Sequence, residues 1–312
     1  MNTQRQEKMV LHAKVGVAGK YRLRVGKRGQ EPRIDTGWFD NIITDAGLNF
    51  AGGNSGWLNA CQVGSGTTAP TAGDTSLVSF VAGTSATESD TGTAEATAPY
   101  YTSRTKTFRF AEGDAAGNLS EVGIGNAATA GTLFSRALIT DGSGTATTIT
   151  VLADEFLDVT YQLQLVPPTS DTTFNVTDSG PDGTVHAVTL RASMVTSNPN
   201  NNVSWRADGA QPTLLQGAAF DGAIGDVTQA PSGSTSGGAK TTDAYVNNSL
   251  ERTGSIAFGL NAGNFGAGLK SLQFGFPLGG VWQAEFDPVI PKTSTKTLNF
   301  DVKVSWTRTT AL

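Results

Sequence analysis

Leu298-Asn-Phe-Asp-Val-Lys-Val-Ser-Trp306 is the stretch that decides the fold class. Apolar side chains occupy every second position of this stretch, and polar side chains stand between them. A period of two is the pattern of a β-strand with one buried face and one face in water. We therefore predict a half-buried strand over residues 298–306, with the side chains of the even-numbered positions in the core.

The same alternation recurs through the rest of the chain. It is present over residues 159–165 and 188–194, and in shorter form at 108–110, 256–260 and 272–276. Helix signals are scarce, because the best candidate, residues 40–50, contains a glycine and several β-branched residues. An antiparallel sheet with one dry face produces this pattern. The sequence predicts an all-β protein of antiparallel β-sandwich or barrel-like domains, with long Gly/Ser/Thr-rich loops and little helix.

Two stretches of low sequence complexity interrupt the alternating runs, at residues 83–98 and 229–243. They consist largely of Gly, Ser, Thr and Ala, and we predict that both are long exposed loops. A double proline at 167–168 ends one alternating run, since proline lacks the N–H that a strand donates to its neighbour. We place a domain boundary there and predict two β domains, residues 1–168 and 169–312.

Charge is sparse and unevenly distributed. Charged residues form 16% of the chain, against about 25% in an ordinary soluble domain. Residues 1–40 hold nine Lys and Arg and four acids, whereas the whole chain holds 22 and 27 respectively. The basic side chains that we select as candidates for docking to other proteins are Lys20, Arg22, Arg24, Lys27 and Arg28.

This basic segment has two interpretations. Basic arms neutralise the phosphates of nucleic acids, and a charged strand face can also dock an acidic protein surface. Tyr21, Leu23 and Val25 alternate with the basic residues, as in a half-buried strand. We favour the docking interpretation and expect no nucleic-acid partner.

Residues with catalytic chemistry are few. The chain has two histidines, His12 and His186, and one cysteine, Cys61, so it forms no internal disulfide and builds no zinc site from thiolates. Residues 52–56 have the composition of a loop around a serine nucleophile but lack the Gly-x-Ser-x-Gly spacing. Gly64-Ser-Gly66 lacks the lysine of a phosphate-binding loop. We predict that the protein is not an enzyme and binds no cofactor.

Asp154, Glu155 and Asp158 form an acidic cluster with two interpretations. Carboxylate oxygens are calcium ligands, but this spacing is not that of a known calcium loop. Apolar residues are interleaved with the acids, which favours a turn at the entry to a strand, with solvated carboxylates and no bound metal.

Trp205, Tyr245 and Trp282 stand near loop-like stretches rich in Asn, Gly and Ser. Exposed aromatic rings in such surroundings are typical of adhesive surfaces, so we select these three as candidate contacts for a receptor or partner. The alternative for each is an ordinary aromatic residue of the β core or its rim.

Several stretches together resemble a known class of protein. They are Trp38-Phe-Asp-Asn-Ile-Ile-Thr-Asp-Ala-Gly-Leu48, Cys61-Gln-Val-Gly-Ser-Gly66 with Thr67-Thr-Ala-Pro70 and Asp74-Thr-Ser-Leu77, Phe108-Arg-Phe110 with Gly117-Asn-Leu-Ser-Glu-Val-Gly123, Leu133-Phe-Ser-Arg-Ala-Leu-Ile139, and Ile149-Thr-Val-Leu-Ala-Asp-Glu-Phe-Leu-Asp-Val-Thr-Tyr161. This order of blocks, over roughly residues 36–165, resembles tail-associated structural proteins of tailed bacteriophages, of the tail fibre, tail tip or baseplate type. The resemblance implies no catalytic residues.

The resemblance leads to an expected function and location. We expect a tail component of the virion that is assembled in the bacterial cytoplasm and contributes to host attachment. Its expected partners are other tail proteins, further copies of itself, with a trimer favoured, and a bacterial surface receptor. No stretch approaches the about 18 apolar residues of a membrane-spanning helix, so no membrane insertion is expected.

Two other functions compete with this expectation. One is a head decoration or tail tube protein without an adhesive role. The other is a secreted glycan-active enzyme, which would need a pair of carboxyl groups in one cleft, about 5–10 Å apart.

Overall fold

Strands form most of the chain in the computed structural model, which describes residues 6–177, 183–193 and 215–312. The elements before the double proline are β1 (Gln6–Gly26), β2 (Ile34–Asp35), β3 (Phe39–Asp40), β4 (Ile42–Ile43), α1 (Asp45–Gly53), β5 (Ala60–Gly64), β6 (Phe80–Thr84), β7 (Thr87–Ala94), β8 (Thr102–Phe110), β9 (Gly117–Leu119), β10 (Glu121–Gly125), β11 (Leu133–Leu138), β12 (Ile149–Val151) and β13 (Phe156–Val166). Those after it are β14 (Thr172–Thr177), β15 (Val185–Ala192), β16 (Gln216–Phe220), β17 (Thr235–Gly237), β18 (Ala239–Thr242), β19 (Glu251–Phe258), β20 (Leu269–Phe276), β21 (Gly280–Ile290) and β22 (Thr297–Arg308).

Three large sheets and one small ribbon account for these strands. The central sheet has the order β18-β19-β22-β1-β13-β8-β7, with β2 and β3 also paired to β1. The first outer sheet has the order β4-β11-β10-β5-β6, and the second outer sheet has the order β14-β15-β21-β20-β16-β17. Strands β9 and β12 form the ribbon.

The long strand β1 changes partners halfway along its length. Its N-terminal half runs parallel to β22, from Gln6 opposite Thr297 to Val17 opposite Arg308. Its C-terminal half runs antiparallel to β13, and β2 and β3 occupy the edge that β22 has left. β1 therefore joins two halves of the central sheet. The first half contains the C-terminal part of β1 with β13, β8 and β7, and the second half contains its N-terminal part with β22, β19 and β18.

Each half of the central sheet packs against one outer sheet. In the first half, the buried Tyr21 of β1 lies 2.5 Å, hydroxyl to hydroxyl, from Ser135 of β11 in the first outer sheet. In the second half, the ring of Phe286 on β21 lies 5.4 Å from the ring of Phe300 on β22. The two sandwiches share one continuous hydrophobic core, so the predicted all-β sandwich architecture is confirmed.

The strands predicted from alternation are present. Along β22 the side chains of Phe300, Val302 and Val304 are buried, whereas Asp301 and Lys303 are partly exposed, which confirms the predicted register of this strand. The parallel pairing of β22 with β1 was not anticipated, and it makes the central sheet mixed rather than purely antiparallel. Because β1 and β22 come from opposite sides of residue 168, the expected boundary does not separate the sheets. The division of labour between residues 1–168 and 169–312 stays a prediction.

Both stretches predicted as long loops contain strands, so that prediction is wrong over β7, β17 and β18. All three are largely exposed segments composed mainly of Thr, Ser, Gly and Ala, with Glu88 and Asp90 on β7 and Lys240 on β18. Hydrogen bonds to a neighbour fix such strands: Thr91 of β7, for example, lies opposite Thr105 of β8. Because little apolar surface is buried there, side-chain alternation does not reveal them.

The helix prediction was right in kind and wrong in extent. α1 spans Asp45–Gly53, since the Thr44 hydroxyl caps its first turn by accepting a hydrogen bond from the Gly47 amide at 2.8 Å. The preceding residues form β3 and β4 instead. Within the described ranges, no helix has the length and apolar character needed to cross a bilayer.

Candidate functional site

The basic side chains predicted for docking lie around the C-terminal half of β1. Tyr21, Leu23 and Val25 are buried beneath them, which confirms the half-buried strand. Four of the five cations are paired with acids of the same chain. The pairs are Arg22 with Asp35, Arg24 with Asp35 (3.0 Å), Lys27 with Asp154 (2.5 Å) and Arg28 with Glu112 (3.9 Å). The local charge is therefore lower than the sequence suggested, and these guanidinium groups hold the pKa of Asp35 well below its usual range.

Lys20 lies beside an exposed aromatic ring that the sequence analysis did not select. Its ammonium group is 5.6 Å from the centre of the Trp38 ring, and the Trp38 side chain is 42% exposed. A lysine over an indole face forms a cation–π contact. Trp38 follows the two-residue strand β2 and precedes β3, so its exposure could be found only from the fold. We call Lys20, Arg22, Arg24 and Trp38 the docking face.

Two of the three aromatic residues predicted to contact a receptor, Tyr245 and Trp282, lie within the described residues. Trp282 is buried, with 3% of its surface exposed, and its ring N–H donates to the Gly279 carbonyl at 2.8 Å. The selection of Trp282 as a contact residue is therefore corrected, because it lies on the core side of β21. Trp205 lies outside the described residues.

Tyr245 is half-buried and has a structural role. Its ring stacks on Trp306 at 6.2 Å, and its hydroxyl donates to the Asn49 side chain of α1 at 3.1 Å. A Cβ atom on Gly52 would lie 2.4 Å from this ring, so the helix approaches it as closely as glycine permits. Tyr245 thus fixes α1 to β22.

The acidic cluster binds cations of the protein itself. Glu155 is 2% exposed and accepts two hydrogen bonds of 2.7 Å from Arg33, which lower the pKa of Glu155 to about 2. Asp158 accepts two bonds from Arg109, at 2.8 and 2.7 Å. The prediction of solvated carboxylates is therefore wrong for Glu155. In the described ranges, no group of three or more His, Cys, Asp or Glu side chains is arranged to hold a metal ion.

The histidines lie on different strands. His12 of β1 is exposed, and its Nε2 lies 2.9 Å from the Ser305 hydroxyl; partial desolvation together with Lys303 and Lys14 lowers the pKa of His12. His186 of β15 is fully buried, and its Nδ1 lies 2.6 Å from the Pro288 carbonyl oxygen. His186 points into the second sandwich, on the same face of β15 as the buried Val188 and Leu190.

A buried ion pair, which the sequence analysis missed, lies on the outer face of the first outer sheet. Glu121 of β10 and Arg136 of β11 are 0% and 1% exposed, and Arg136 Nε donates to Glu121 at 2.8 Å. Arg136 also donates to Asp74 and to the Thr68 carbonyl, each at 2.7 Å. We call Glu121, Arg136 and Asp74 the charged clamp.

The charged clamp fixes the loop of residues 65–79 over the sheet. Glu121 accepts backbone N–H bonds from Gly66 (3.1 Å), Val78 (3.1 Å) and Ser79 (2.7 Å). A Cβ atom on Gly66 would lie 2.4 Å from a Glu121 oxygen, so only glycine fits. Residues 61–66, 74–77, 117–123 and 133–139, which carry part of the resemblance, meet at this clamp. The signal in the sequence was a single acid and a single arginine, each in an otherwise apolar strand.

The second outer sheet fixes a loop in a similar way but without a central ion pair. Gln283 of β21 is 0% exposed, and its amide nitrogen donates to the carbonyls of Ala192 (3.2 Å), Gly225 (2.9 Å) and Asp226 (3.1 Å). Its amide oxygen accepts from the Gly225 N–H at 2.9 Å. Gln283, which we call the glutamine clamp, thereby fixes the loop that connects β16 to β17.

A polar groove of about 480 Å³ lies on the outer face of the central sheet. Asp243, Ser255, Asn299, Asp301 and Lys303 are among its lining residues. Asp243 already accepts a 2.7 Å hydrogen bond from Thr253, and Lys303 is 3.0 Å from Glu251. The groove offers hydroxyl, amide and charged groups but no aromatic ring among its lining residues.

No family model, curated protein or solved structure matches this chain. The likeness to phage tail proteins therefore remains a hypothesis that rests on the quoted stretches of sequence.

Proposed function

We propose that the chain is a non-enzymatic structural protein of the tail of a tailed bacteriophage, a tail fibre, tail tip or baseplate component that contributes to host attachment. The charged clamp is the observation that carries the proposal. It gives a structural reason for part of the resembling sequence, residues 61–66, 74–77, 117–123 and 133–139, because these stretches meet around Glu121 and Arg136. The contacts of Glu121 and Arg136 described above are all to groups of this chain, which suits a structural scaffold.

The docking face supports attachment to other tail proteins. Tryptophan and arginine are the side chains most enriched where protein interfaces hold most of their binding energy, and the docking face combines an exposed Trp38 with Arg22 and Arg24. Their half-exposed ion pairs leave the guanidinium edges partly accessible. Charges at the rim of an interface chiefly set the rate and specificity of association. We propose an acidic tail protein as the partner.

Host contact is the second part of the proposal, and we assign it to residues 169–312. With Trp282 in the core, the loops of that segment remain as the candidate surface, above all the connection fixed by Gln283. Weak contacts on single copies are strengthened when one particle carries several copies. The receptor would be a component of the bacterial surface.

Labelled antibody on intact particles tests the location. We expect label at the distal tail, whereas label on the head or along the tail tube would favour the competing virion roles. Phage carrying Trp38→Ser should incorporate less of the protein, since the substitution removes the exposed ring of the docking face. The matched control is Val246→Ser, which changes a valine that is 69% exposed elsewhere on the surface. Equal incorporation of the two variants would remove the docking face from the proposal.

A further inference from the structure

An exposed apolar segment leads into the edge strand of the first outer sheet. The exposed fractions are 56% for Val78, 45% for Phe80 and 39% for Val81. In the described chain, β6 is the last strand of its sheet and pairs with β5 along one edge. An exposed apolar edge strand is a template for pairing with another chain, and neighbouring exposed apolar side chains mark interaction sites.

The charged clamp holds this segment in place. Glu121, itself buried, accepts the backbone N–H groups of Val78 and Ser79, immediately before β6 begins. The Ser79 carbonyl accepts a further bond, 2.8 Å long, from the Ser65 N–H. The edge is therefore ordered before any partner arrives, which reduces the loss of conformational entropy on binding.

A comparison of β6 with the edge strands of the other sheets indicates which partner pairs with it. An antiparallel strand pair across a two-fold axis brings a strand against its own copy, so a charge near the middle of the strand lies close to the same charge of the other copy. β7 carries Glu88 and Asp90, and β18 carries Lys240, whereas residues 75–87, which contain β6, carry no charged side chain. β14 and β17 are also neutral, but their exposed side chains are polar.

We propose that two copies of this chain pair edge to edge through β6, antiparallel and across a two-fold axis that passes beside Val81. The two first outer sheets then form one continuous sheet, and Phe80 and Val81 of each copy are covered by the other. This pairing gives two copies, or a multiple of two, rather than the trimer expected from the sequence. The inference does not depend on the proposed place in the virion.

The test uses the full chain with Val81→Lys and Val81→Glu, and measures mass in solution by sedimentation velocity. Wild-type protein should sediment as a dimer, or as a larger even-numbered species. Each variant alone should shift to monomer, because like charges then face each other across the axis. An equimolar mixture of the two variants should recover the dimer, since the lysine of one copy then faces the glutamate of the other.

Val246→Lys is the control, since it places the same charge on a more exposed valine, and it should leave the wild-type mass unchanged. Circular dichroism spectra of all variants should match that of the wild type, because Val81 is 39% exposed in the single chain and its substitution leaves the fold intact. A monomeric or trimeric wild type would overturn the proposal. So would a Val81→Lys variant that keeps the wild-type mass, or a mixture that stays monomeric.

Discussion

The two outer sheets each fix a loop over their outward face, one with charges and the other with an amide. The charged clamp joins Glu121 to Arg136 at 2.8 Å beneath residues 65–79, whereas the glutamine clamp uses one side chain that bonds to the backbone on both sides of its amide. Glu121, Arg136 and Gln283 are all fully buried. Both clamps hold a loop against a sheet. Glu121 and Arg136 each depend on the opposite charge of the other, whereas Gln283 depends on no charged partner.

That difference has an energetic consequence. Burying two ions removes their hydration, and their mutual attraction compensates only while both are present. Gln283 has no charge to desolvate, and its removal leaves backbone groups that retain some access to water at the loop. The charged clamp should therefore respond to substitution far more strongly than the glutamine clamp.

Arg136→Met should have the largest effect. It leaves the Glu121 carboxylate buried without its cation, a loss of about 3–5 kcal/mol in the free energy of unfolding. Urea unfolding at pH 7 measures it, and hydrogen exchange should accelerate in residues 65–79. The double variant Glu121→Gln with Arg136→Met should recover part of the loss, because no charge is then stranded. A loss below about 1 kcal/mol for Arg136→Met would mean that water reaches the carboxylate.

Gln283→Leu should have an intermediate effect. The leucine fills a similar volume but leaves the Gly225 N–H and the carbonyls without their amide partner, which costs about 1–3 kcal/mol. Hydrogen exchange should accelerate in the loop between β16 and β17 and stay unchanged in residues 65–79. If Gln283→Leu destabilises the protein as much as Arg136→Met does, the contrast between the two clamps does not hold.

Low pH should reduce the stability of the protein through the pair of Glu155 with Arg33. Arg33 lowers the pKa of Glu155 from 4.5 to about 2, so the native state favours the ionised carboxylate. The resulting stability is complete above the usual pKa and is lost as pH falls from about 4.5 towards 2. We expect this pair to contribute about 1 kcal/mol to the free energy of unfolding, since Arg33 is half exposed and solvent screens the pair.

Urea midpoints between pH 6 and pH 2.5 measure this contribution, and Arg33→Gln is the control. The variant should be less stable at pH 6 and should lose less stability on acidification. Parallel pH profiles for the two proteins would show that the Glu155–Arg33 pair does not contribute.

The strands that bury one face could be predicted from sequence, since the alternation along β22 reports which side chains meet the core. The edge strands β7, β17 and β18 could not, because backbone pairing rather than burial holds them. The solvent-facing positions of Arg22 and Arg24 could be predicted from the alternation along β1, but their shared partner Asp35 could not, since strand pairing decides which acid lies opposite. Trp282 was wrongly selected as a contact residue, because turn residues next to a strand do not indicate which face of the strand is buried.

Arg28→Ala should have the smallest effect on stability and give the most direct test of docking. The Arg28 side chain is 86% exposed, and its distance of 3.9 Å to Glu112 makes a weak ion pair. Exposed pairs of this kind contribute between about 0 and 1 kcal/mol, so the urea midpoint should be unchanged within error. A reduced incorporation into particles would then report a lost contact with a partner, because the fold is intact. Arg33→Ala is the contrasting variant, since it removes the partner of the buried Glu155 and lowers stability together with any docking. If the Arg28→Ala variant incorporates at the wild-type level, Arg28 makes no contact with a partner. The docking contacts of the basic segment are then confined to the docking face on β1, where Lys20 lies against Trp38.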